Sequence, residues 1–91
     1  MIELVTINKI KETWYLSKVI VNPVHMVSIT DSIEHNNLLS EGKIELPLDS
    51  NIRFTKVRMN PVTGYEEFIV VGSPYSIMEK VNKTTKQLLK G

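Results

Sequence analysis

Two stretches of this chain, residues 19–29 and 68–71, are apolar on both faces of an extended backbone. Against them stands one segment with the period of an amphipathic helix, at the C-terminal end. Successive side chains of a strand point to opposite faces of its sheet, and one helix covers one face. The second apolar face must therefore meet either the segment 31–48 or another chain. The 91 residues make a single small domain. Cysteine is absent, which excludes disulfides, a thiolate nucleophile and cysteine metal sites. A domain of this size without staples depends on a thin core. Partner subunits would relieve it, so a homo-oligomer is the leading expectation.

The local patterns give a run of strands. Residues 2–8 are β-branched and apolar, and Lys9–Glu12 suits a turn. Residues 13–21 form a second strand, with Trp14, Leu16 and Ile20 on one face and Tyr15, Val19 and Val21 on the other. Asn22-Pro23 bends the chain, because proline lacks an N–H and biases the residue before it away from helix. Residues 24–30 resume a β pattern, with Val24 and Met26 facing one way and Val27 and Ile29 the other. Residues 31–43 read as a long loop with room for one helical turn. Ile44, Leu46 and Leu48 then alternate with Glu45 and Pro47, which points to an edge strand or extended arm.

The clearest local signal is a hairpin. Residues 52–59 and 65–71 alternate on either side of Asn60-Pro61-Val62-Thr63-Gly64, where proline presets φ and glycine can take a positive φ. Ser73-Pro74 opens the helix, about 74–90, with Ser76 to Glu79 as a capping-box start one turn later. Ile77, Val81 and Leu88, with Met78, Thr85 and Leu89 beside them, make its apolar stripe. The expected fold is α+β and mainly β: a small twisted antiparallel sheet or partial barrel of about five strands, packed by one C-terminal helix.

Opening Met1-Ile2-Glu3-Leu4-Val5-Thr6, then Val21-Asn22-Pro23 leading to Met26 and Ile29, then Gly64, Phe68-Ile69-Val70-Val71, Ser73 and Ile77, the chain resembles the FlbD-like small proteins. These are named for a flagellar motility factor and also occur as short bacterial and phage proteins. The resemblance covers about half the chain. Residues 32–51 stand as an insertion, and Gly72 replaces a usually acidic residue. It implies a small non-catalytic domain, possible in a phage setting, and does not carry a flagellar role.

Several chemistries lack their residues. No Gly-x-Ser-x-Gly elbow, phosphate-binding loop or dinucleotide fingerprint is present. Glu66 and Glu67 are adjacent on a strand and point to opposite faces, so they cannot flank one bond. His25 and His35, with Asp31 and Glu34 nearby, fall short of a metal-ligand constellation. The reading is therefore of a non-enzymatic protein with no cofactor. No apolar run spans a bilayer and the start lacks a secretory signal pattern, so no membrane partner and a cytoplasmic location are expected.

Two surfaces remain as candidates. The first is a subunit interface through Leu38, Leu39, Ile44, Leu46 and Leu48, with Trp14 or Tyr15 as the aromatic anchor. The second is a phosphate or nucleic-acid surface of Lys80, Lys83, Lys86 and Lys90 on the helix, with Arg53 and Arg58 on a strand. The formal net charge of +1 gives that surface no support from bulk basicity, and lysines also favour a helix C-terminus for dipole reasons. Binding of a nucleotide or small anion in pockets between subunits is a third possibility.

Overall fold

The computed structural model describes residues 1–49 and 51–90, with side chains through Lys83. Five antiparallel strands run β1 Ile2–Ile10, β2 Thr13–Val21, β3 Met26–Asp31, β4 Phe54–Met59 and β5 Glu67–Val71. Helix α1 spans Ile33–Ser40 and α2 spans Pro74–Lys90. The spatial order is β2-β1-β5-β4-β3. The architecture is mainly β, and the sheet is open.

Chain connectivity forces this sheet to curl. Its two edge strands, β2 and β3, are consecutive in sequence and joined by Asn22–His25, most of which is a 3-10 turn at Pro23–His25. Four inter-strand spacings in a flat sheet come to about 19 Å. Five Cα steps reach at most about 18 Å when fully extended, and a 3-10 turn rises only ~2 Å per residue. The edges are therefore drawn together at this end without pairing. Asn22 sets the turn by accepting from the Val24 N–H at 3.1 Å through Oδ1.

The two faces bury different clusters. Ile2, Leu4, Val21, Val57, Met59 and Val70 meet Ile77 of α2, with Val81 packed beside them. Ile7 and Phe54 on the opposite face meet Ile44, with Leu38, Leu39, Leu46, Leu48 and Ile52 against them. The second apolar face is thus covered in part by the chain's own 33–52 segment. The rest of that face is mixed: Lys18 pairs with Glu3 at 3.3 Å, Arg58 stands opposite Glu67, and Leu16 and Ile20 of β2 stay exposed.

The hairpin of β4 and β5 turns through Pro61–Thr63, and Gly64 closes it at φ 86°, a left-handed conformation that glycine adopts without strain. Helix α2 begins where Ser73-Pro74 directs it. The Ser76 N–H donates to Ser73 Oγ at 3.1 Å, so the later start at Ser76 is not used.

Three expectations are corrected. Strict alternation put Met26 and Ile29 on opposite faces, but the β3–β4 register shifts between Met26 and Ser28. Val27 is the extra residue of a bulge, and Met26 and Ile29 both pack on the α2 side. Residues 31–43 hold an eight-residue helix, not a loop. Its sequence is a poor helix former, and tertiary bonds supply what propensity does not. Ile44–Leu48, expected as an edge strand or an extended arm, is an arm and forms no strand. The Leu46 N–H donates to the Ile44 carbonyl at 3.0 Å and the Leu48 N–H to the Leu46 carbonyl at 2.7 Å. Two consecutive three-residue turns therefore satisfy this backbone, which no neighbouring strand does.

Candidate functional site

Most of the residues expected at a subunit interface also pack on their own chain. Ile44 is buried, and Leu38, Leu39, Leu46 and Leu48 pack around Ile7 and Phe54 of the same chain. Their alternation with Glu45 and Pro47 correctly marks an apolar side, but that side meets the chain's own sheet. Trp14 belongs with them. It is half-buried, its Nε1–H donates to the Lys43 carbonyl at 3.2 Å, and Lys9 Nζ lies 5.4 Å from its ring centroid. Trp14 fastens the arm to β2. Tyr15 points to the other face and is 50 % exposed, which leaves it as the available aromatic anchor.

A polar cluster that the sequence did not single out sits at the start of α1. Ser32 Oγ and His35 Nδ1 are 2.8 Å apart. The His35 ring meets Trp14 edge-on at 5.9 Å and Phe54 at 6.2 Å. Burial lowers the His35 pKa below 6.5; Glu34 opposes that shift and Lys56 adds to it. Ser32 is 3 % exposed, so its hydroxyl has no access to a substrate. This pair orders the first turn of the helix and does not form a nucleophile–base site. Sequence spacing could not reveal its neighbours, because Trp14 and Phe54 are each about twenty residues away from His35.

The cationic residues are divided. Arg53 precedes β4 and lies 3.9 Å from Asp31. Arg58 is near the opposite end of the same strand, beside Glu66 and Glu67. Lys80 donates to the Glu3 carbonyl at 3.4 Å, and Lys83 is exposed on α2. Lys86 and Lys90 carry side chains outside the described residues. His25 lies in the turn after β2 and His35 in α1. Among the described residues no group of three His, Asp or Glu side chains could hold a metal ion, and no helix is long and apolar enough to cross a membrane.

Exposed large apolar side chains occur on several elements, and three of them, Tyr15, Leu16 and Ile20, lie along β2. This strand pairs with β1 on one side and borders no strand on the other. Six of its nine residues are exposed, including Tyr15, Leu16 at 42 % and Ile20 at 64 %. Leu16 and Ile20 were legible as apolar but not as exposed, since only strand order decides which strand is an edge. Shallow hollows adjoin the sheet, two of them largely apolar. One of about 310 Å³ runs between β3 and α2 past Met26, Ile29, Met78 and Val81. The other, about 340 Å³, lies where the sheet curls, beside Met1, Ile20, His25 and Tyr65.

Comparison of the chain with protein-family models, curated proteins and solved structures finds no match.

Proposed function

We propose that this chain is a non-enzymatic binding and interaction protein that works as a homo-oligomer, with its working surfaces formed where subunits meet. The observation that carries the reading is the open β2 edge, nine residues long, with Tyr15, Leu16 and Ile20 exposed along it. A long, regular, apolar edge invites strand pairing unless something protects it. Here the one charge among the nine residues is Lys18, which pairs with Glu3 of the neighbouring strand at 3.3 Å. The second sheet face supports the reading less than the sequence suggested, because the chain's own Leu38, Leu39, Ile44, Leu46 and Leu48 cover part of it.

Multi-angle light scattering at micromolar concentration tests this. A discrete oligomer is the expected result. A monomer across the micromolar range overturns the proposal.

A further inference from the structure

We infer that the subunit contact is β2 paired antiparallel with β2 of a second copy, around a twofold axis at Ser17, joining two sheets into one of ten strands. This rests on the homo-oligomer reading above and specifies its surface and register.

The choice of edge follows from the two that the sheet leaves open. Strand β3 is six residues long and carries the bulge at Val27, a feature that bends an edge away from pairing. Strand β2 is nine residues long, and its pairing to β1 runs without a register shift from Ile2↔Val21 to Ile10↔Thr13. A regular edge of that length offers a second strand a continuous row of backbone partners.

The choice of partner follows from self-complementarity. A twofold axis relating two antiparallel strands stands perpendicular to the sheet, so like faces meet and the axis falls on a residue. Ser17 is the midpoint of Thr13–Val21, and an axis there overlaps the whole strand. It sets Tyr15 opposite Val19 of the second copy, an aromatic against a β-branched residue, the type of cross-strand pair that stabilises sheets. It sets Ile20 opposite Trp14, again aromatic against β-branched. Leu16 lies against the aliphatic stem of Lys18, whose ammonium stays with Glu3 of its own chain. Every exposed apolar side chain of β2 thereby gains an apolar neighbour. Moving the axis to Lys18 would place two lysines directly opposite. Moving it to Leu16 would set Ile20 against Glu12 in the β1–β2 turn. The Ser17 register also keeps both α2 helices on one face of the joined sheet and both 33–52 segments on the other.

The absence of native cysteine makes the register directly testable. In Ser17→Cys the two thiols face each other across the axis, within the Cα separation a disulfide accepts. In Ile20→Cys they are six residues apart along the strands, roughly 20 Å, and cannot bridge. Mild oxidation followed by non-reducing electrophoresis should give nearly complete dimer for Ser17→Cys and little for Ile20→Cys. An oligomer by light scattering with no Ser17 bridge, or with an equal Ile20 bridge, overturns the register while the homo-oligomer reading stands. A monomer overturns both. Hydrogen exchange on the unmodified chain gives a test free of any folding defect. Dilution to the monomer should deprotect alternate amides of residues 13–21 and leave β3 unchanged, and deprotection at β3 instead overturns the assignment.

Discussion

The side-chain amide of Asn36 bonds to both backbone groups of Phe54. Its Oδ1 accepts from the Phe54 N–H at 2.7 Å, and its Nδ2 donates to the Phe54 carbonyl at 3.4 Å. The Ser32 N–H reaches the same carbonyl at 2.9 Å. A helix thus occupies the place where β3 would otherwise continue along β4. The residue it grips is fully buried.

Removing that grip should be expensive. In Asn36→Ala the Phe54 N–H loses its acceptor in a buried place, which costs about 1–3 kcal/mol. Urea denaturation should show the loss as a lower midpoint. An unchanged midpoint would mean that α1 docks through its leucines alone.

The arm makes a second case. Ile44→Ala removes a buried side chain between Ile7 and Phe54 and should destabilise by about 2–4 kcal/mol. Glu45→Ala, whose side points to solvent, should stay within about 0.5 kcal/mol. Equal effects from the two substitutions would contradict the packing of the arm on the sheet.

His35 gives the fold a pH dependence of fixed sign. Burial holds its folded pKa below 6.5, so the unfolded chain takes up the proton first. The stabilisation is complete above 6.5 and is lost as the pH falls through the lower, folded value. Melting temperatures followed from pH 7 down to about 5, above the carboxylate range, should fall. The fall should flatten in His35→Gln. A variant with the same slope as the parent would place the titration elsewhere.

The β1–β2 turn stores strain that can be relieved. Lys11 and Glu12 both have positive φ, 46° and 69°, as a two-residue turn between right-twisted strands requires. Left-handed backbone costs an L-residue roughly 1–2 kcal/mol. Replacing the pair by Asn-Gly should therefore raise stability by about 1 kcal/mol. Calorimetry would read it as a higher melting temperature, and no gain would show that the turn is relaxed as it stands.

What could be read from the sequence was what neighbours along the chain decide. The alternation of residues 13–21 gave β2 its bounds. Asn60 to Gly64 gave the hairpin its turn, and Ser73-Pro74 gave α2 its first residue. Each of these depends on contacts within a few positions. The helix at 33–40 did not show, because its residues favour it weakly and Asn36 finds its partner eighteen residues away.

The sequence by itself determined which side chains are apolar, where the backbone turns, and that one terminal helix could not cover both faces of the sheet. Tertiary structure alone decided that the arm folds back over Ile7 and Phe54, that β1 lies beside β5, and that β2 is left at an edge. The reason is physical. Burial rewards any apolar partner in reach and is indifferent to which one. Three-dimensional order therefore chooses among Leu16, Ile20 and Ile44, and it buries Ile44 while leaving the other two in water.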